Sequence, residues 1–154
     1  MRRRTLLMRA VVMTVVAAVG TLAGCTSSRP VLATVQIGPV PVEFRVEVAQ
    51  TAEQQRDGLS GRAELSAGTG MLFRFGRRGE QQVWMVGMRF PLDIAWIADG
   101  KVVAVDTLTP CTEADDNDCL RWTSPSQVDA LLEVPAHSLT TVVPGMAVTV
   151  EELS

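Results

Sequence analysis

The stretch LDIAWIADGKVVAV, residues 92 to 105, constrains the fold more than any other part of the chain. Two apolar runs meet at Asp99-Gly100, a residue pair suited to the type I′ turn, in which both central positions take φ above zero. The sequence therefore predicts a β-hairpin. Alternation along its first arm puts Leu92, Ile94 and Trp96 on one face and Asp93, Ala95 and Ile97 on the other. Both faces are apolar, so the strand belongs in the middle of a sheet covered on both sides. Asp93 is the exception. A carboxylate in such a place has to be hydrogen-bonded or paired, because burying it bare is costly. The expected partners are backbone N–H groups or Arg62 across the fold, which makes Asp93 structural. The competing expectation is an acid at the mouth of a cleft.

The same two-residue period runs through much of the chain. In VEFRVEV (42–48) the apolar positions alternate with Glu43, Arg45 and Glu47. Thr51 is placed to cap a short helix in AEQQRDGL, with Gln54 at the capping-box position. MLFRF (71–75) and QQVWMVGM (81–88) flank GRRGE and predict a second hairpin, with Arg77-Arg78 at its tip. VDALLEV and the region around MAVTVEE add further strands. Pro91, Pro135 and Pro144 fall between strands, where a missing N–H does no harm. Seven or eight short strands with one or two short helices predict a mainly β domain, a small antiparallel barrel or sandwich.

The N-terminus sets the compartment. MRRRTLLMR is followed directly by the apolar run AVVMTVVAAVGTLAG and then by Cys25. A basic head, a short apolar run and small residues before a break describe an export signal. Leu-Ala-Gly-Cys resembles the lipobox of bacterial lipoproteins, which implies that Cys25 is acylated and becomes the mature N-terminus. Residues 1–24 are then a lipoprotein signal peptide, 25–30 the lipidated cysteine and a polar tether, and 31–154 a single domain. The expected location is the cell membrane, anchored by lipid on the extracytoplasmic side, since two or more acyl chains hold a protein stably. Loss of Arg2, Arg3, Arg4 and Arg9 takes the 14 basic residues to 10 against 17 acidic ones, a net charge of −7. Nucleic acid and anionic headgroups are poor partners for such a surface. Two cysteines remain in an oxidising compartment, Cys111 and Cys119, in CTEADDNDC. Neither a C-x-x-C motif nor a zinc spacing is present, so a disulfide closing a short loop is expected ahead of a redox-active pair.

Several of these segments, read together, resemble one family. GL (58–59) with Arg62, GMLF (70–73), WM (84–85), PLDIA (91–95) and Cys111, within a longer match over about residues 42 to 150, are similar to the bacterial and archaeal family known as domain of unknown function 192. The resemblance implies a compact, β-rich, often exported domain and no particular reaction. Members commonly carry Lys-Asn-Thr after Trp-Met, where this chain has Val86, Gly87 and Met88. They often carry Met-Phe after Gly-Leu, where it has Ser60 and Gly61.

Chemistry-bearing motifs are sparse. His137 is the one histidine, no serine stands in a G-x-S-x-G elbow, and no zinc or cofactor pattern is visible. Glu113, Asp115, Asp116 and Asp118 crowd the cysteine loop without EF-hand spacing and read as a solvated acidic loop. Met71, Met85 and Met88 could offer thioethers to a soft ion. Met85 and Met88 would face opposite ways on a regular strand, however, so core packing is the expectation. The expected function is a non-catalytic binding or envelope accessory module, with the membrane and a small ligand or envelope component as partners. Asp93, Trp84, Met85 and Arg62 are the candidate cleft. The alternative is a hydrolase using Asp93 with a second carboxylate, for instance Asp106.

Overall fold

A computed structural model describes residues 30–154; the expected signal peptide and the expected lipidation site Cys25 lie outside the described residues. In chain order the elements are β1 (Val31–Ile37), β2 (Val42–Ala49), α1 (Ala52–Asp57), β3 (Thr69–Gly79), β4 (Gln82–Trp84), β5 (Leu92–Ala98), β6 (Lys101–Leu108), a short 3-10 turn at Asp116–Asp118, β7 (Arg121–Thr123), β8 (Val128–Pro135) and β9 (Val148–Leu153). The first hairpin forms as expected. β5 pairs antiparallel with β6, and both turn residues take positive φ, 52° at Asp99 and 67° at Gly100. The capping box at Thr51 and Gln54 is also present.

Seven strands make one sheet in the order β6-β5-β8-β3-β2-β1-β9, and β4 and β7 form a separate two-stranded ribbon. The fold is mainly β, and its pairings are antiparallel except between β2 and β3. A parallel pair needs a crossover, and α1 with the loop after it supplies one. The large sheet curls until its edges touch at a bridge between Lys101 and Ala147, where the Val102 N–H donates to the Met146 carbonyl at 2.9 Å. It does not zip shut, so the architecture is an open, barrel-like sheet rather than a closed barrel.

Each face of the sheet carries its own core. One holds Val35, Phe44, Val46, Leu72, Ala95, Leu132 and Val134; the other holds Leu59, Met71, Phe73, Met85, Leu92, Ile94, Trp96 and Leu131. All seven residues of β5 are buried, as a strand apolar on both faces requires. Among the described residues, both cores and the nine strands lie within residues 31–153.

One strand lies outside the segments expected to be strands: VLATVQI forms β1, whose even alternation is masked by Leu32. The hairpin expected between 71–75 and 81–88 does not form. β3 pairs instead with β2 and β8, and it extends through Arg77 and Arg78, which therefore do not sit at a hairpin tip. Arg78 is held there by Asp99 and by the Gln127 carbonyl. Past Trp84 the chain leaves the strand and turns, with the Met88 N–H donating to the Met85 carbonyl at 3.3 Å.

Candidate functional site

A cavity of about 310 Å³ opens over the second core, between α1, the loop after it, the 82–88 segment and the sheet. Leu59, Phe73, Met85 and Leu92 make its apolar wall, with Trp84, Val86 and Met88 nearer the surface. Gln55, Arg56, Asp57 and Gln82 supply polar groups. Helix α1 is fixed above the sheet by Gln55, whose side-chain amide donates to the Arg74 carbonyl at 2.7 Å.

Glu133 lies within this lining and is only 6 % exposed. Alternation along β8 explains its position: Leu132 and Val134 face the first core, so Leu131 and Glu133 face the second. Across the sheet its direct neighbours are Met71 on β3 and Ile94 on β5, both apolar. Desolvation pushes the carboxyl up to about 8 from an ordinary value of 4.5, and no hydrogen bond or charge offsets it. Among the described residues, every side-chain nitrogen or oxygen wholly shut off from solvent has a hydrogen-bond partner. The Glu133 oxygens have none, so they are reached through the cavity. β3 and β8 also approach closely at this point. A Cβ on Gly70 would stand 2.3 Å from the Glu133 carbonyl oxygen, and only glycine fits there.

The cavity mouth is made by two loops clasped together. The Ser60 hydroxyl donates to the Val86 carbonyl at 3.2 Å, and the Gly61 N–H to the Gly87 carbonyl at 3.0 Å. Gly87 has φ of 71°, and a side chain on it would meet the Ser60 oxygen. The two places where this sequence departs from its family resemblance, 60–61 and 86–88, are thus one structural feature. Outside the mouth, the Arg121 guanidinium stacks over Trp84 at 4.2 Å from the ring centre. The Cys111–Cys119 disulfide, with Cα atoms 5.7 Å apart, closes the neighbouring loop, and the Cys111 N–H donates to the Met85 carbonyl at 3.2 Å.

The four residues expected to form one cleft are separated. Trp84 and Met85 line the cavity, and the turn at 85–88 brings Met88 to it as well, where a regular strand would have sent Met88 away. Asp93 faces the opposite way from Leu92 and Ile94. It is 3 % exposed and accepts from the Thr107 hydroxyl at 2.7 Å and the Leu139 N–H at 3.0 Å. Arg62 does not reach Asp93; it forms a two-pronged pair with Glu47 at 2.7 and 2.8 Å. That bond holds the Glu47 carboxyl below its ordinary value. Asp106 cannot work with Asp93, because it sits opposite Ile94 on the other face and accepts from the Trp96 indole at 2.8 Å. In the acidic loop Asp115 caps the 3-10 turn through Asn117, and no group of three or more potential metal-binding side chains occurs among the described residues. The buried acid that does reach the cavity, Glu133, is not among the residues singled out in the sequence. The available signal was an acid following the apolar run Ala130-Leu131-Leu132 in VDALLEV, a strand that also carries Asp129.

Residues 33–150 match the model of the family DUF192, described as an uncharacterized ACR. Two solved structures share the fold. One is from Sinorhizobium meliloti and is described as a candidate transcription regulator; it is 26 % identical, has a TM-score of 0.70, and the match covers 79 % of this chain and 95 % of that one. The other is a protein of unknown function from Novosphingobium aromaticivorans, 25 % identical with a TM-score of 0.69, covering 77 % and 84 %. No curated protein matches the sequence.

Proposed function

This chain belongs to the DUF192 family, and we propose that it is a lipid-anchored extracytoplasmic module that binds a small ligand in the cavity over Glu133 without transforming it. One observation carries the reading: a buried carboxyl with no partner among the described residues opens into a cavity with an apolar wall and a polar mouth. Small-molecule sites likewise combine apolar walls with convergent polar groups. The volume is at the lower end of such sites, which run from roughly 300 Å³ upward, so the ligand is small. The lipobox at Cys25 supports attachment to the membrane, and the short segment after it leaves the domain close to the lipid surface.

A raised carboxyl in a cavity also suits proton transfer, and this favours Glu133 over Asp93 if the protein is an enzyme. Such chemistry would need a second group. The serine at the mouth, Ser60, has its hydroxyl engaged by the Val86 carbonyl, and no histidine lines the cavity.

The test is a nuclear magnetic resonance screen of residues 26–154 against a set of small polar-apolar compounds. The reading expects hits that move the amides of 84–88 and the Trp84 indole together. Hits scattered over the surface, with that group unmoved, would refute it. Fractionation tests the anchor separately: Cys25→Ala should leave the membrane or stay as unprocessed precursor.

A further inference from the structure

Glu133 is buried between apolar neighbours and forms no side-chain hydrogen bond or ion pair among the described residues. A leucine or methionine would pack at this position as Met71 and Ile94 do on either side. The arginines with identified ionic partners are engaged elsewhere, Arg62 with Glu47, Arg74 with Glu152 and Arg78 with Asp99. Arg56 lines the mouth beside Asp57, but both side chains are about 70 % exposed, and their charges stay in water. The cavity therefore holds a carboxyl with which no cation pairs among the described residues.

The walls suit a positive charge with apolar substituents. Aromatic faces attract cations, and Trp84 already carries Arg121 over its ring. The thioethers of Met85 and Met88 are polarizable and adaptable. The mature chain is also acidic, with 17 Asp and Glu in all, which draws cations toward it. Building on the binding role proposed above, we propose that the cavity receives a small organic cation, an amine or guanidine bearing an apolar substituent. Its nitrogen pairs with the Glu133 carboxylate, and the substituent lies against Phe73, Met85 and Leu92.

Binding carries a proton balance. The empty site keeps the Glu133 proton up to about pH 8, and a ligand arriving as ammonium displaces that proton to solvent. Affinity should therefore rise about tenfold per pH unit between about pH 6 and 8 and then level off. The other charges around the carboxyl are Arg56 and Asp57 at the mouth, Arg121 over the Trp84 ring, and Asp106, one strand beyond Ile94. His137 follows β8 in a turn, and comparison with Glu133→Gln separates the Glu133 proton from what these neighbours contribute.

The experiment titrates residues 26–154 with 2-phenylethylammonium and with its neutral counterpart 2-phenylethanol, following the amides of 84–88 at several pH values. The ammonium should bind at least tenfold more tightly than the alcohol near pH 8, with the pH slope given above. Glu133→Gln should remove both the preference and the slope. If the alcohol binds as well as the ammonium near pH 8, the cation assignment is overturned and the binding role survives. If neither probe moves the cavity amides at ~50 mM, well above the roughly millimolar affinity of fragments this small, the cation assignment falls, and the screen above decides the binding role on its own.

Discussion

Replacing Glu133 by glutamine should stabilise the protein in alkaline solution and leave it little changed in acid. In the unfolded chain the Glu133 carboxyl loses its proton near its ordinary value of 4.5, while in the folded chain it keeps the proton up to about 8. Between those two values the unfolded state binds fewer protons, so native stability falls as pH rises, and it levels off above the folded value. At 1.36 kcal/mol per pH unit, the interval amounts to on the order of 5 kcal/mol. That is a large share of the roughly 5–15 kcal/mol that holds a typical domain together. Glutamine has nearly the same shape and no proton to lose, and its amide is equally poorly bonded at every pH. The stability difference between variant and wild type therefore isolates this one group. Urea titrations of both proteins at about pH 5, 6.5 and 8 should show the difference growing by several kcal/mol in favour of glutamine. In thermal melts this corresponds to an advantage of about 10 °C or more near pH 8. A difference that stays flat across this range would mean that Glu133 is hydrated or paired in the native state. The account of the cavity would then be wrong.

Three further outcomes follow from the geometry. Asp93→Asn should cost only about 1–2 kcal/mol, because the amide oxygen can still accept from Leu139 while its NH2 donates to Thr107. Asp93→Leu strands the Leu139 N–H and should cost ~3 kcal/mol or more by chemical denaturation; equal costs for the two would disprove the hydrogen-bond assignment. Gly70→Ala drives a methyl group into the Glu133 carbonyl and should lower stability by about 2–3 kcal/mol, read as a fall in melting temperature, although it removes no contact. Reducing the Cys111–Cys119 bond should cost roughly 2.5 kcal/mol by chain entropy, and an unchanged melting curve in reductant would show that the loop is ordered without it.

The sequence made the fold legible where a local rule was strong. Asp99-Gly100 could only be a tight turn, and Thr51 with Gln54 carried the full helix-capping signature. The alternation of VEFRVEV survived intact as β2. It was misleading where neighbours in sequence are not neighbours in space. MLFRF and QQVWMVGM look like the arms of a hairpin, yet β3 is claimed from both sides by β2 and β8, and β4 finds its partner nearly 40 residues later in β7. No local pattern reports such long-range competition. Met85 and Met88 repeat the lesson on a smaller scale. Their spacing implies opposite faces only if the strand continues, and it stops at Trp84.

The two buried acids show what the sequence leaves undecided about the site. Asp93 is the one acid of β5 and Glu133 is the buried acid of β8, and their registers even align, with Ile94 beside Glu133 and Asp93 beside Val134. Nothing in LDIAWIA or VDALLEV says which acid is structural. The difference comes from the surroundings. β6 brings Thr107 opposite Asp93, and the turn after β8 offers the Leu139 N–H, so Asp93 is satisfied within the fold. Glu133 has Met71 and Ile94 at its sides and open cavity ahead, so it is not. A satisfied buried carboxylate contributes to one well-defined structure. An unsatisfied one costs stability, and proteins accept that cost chiefly where function requires it. By that criterion the candidate site is centred on Glu133, and Asp93 belongs to the scaffold that holds β5 alongside it.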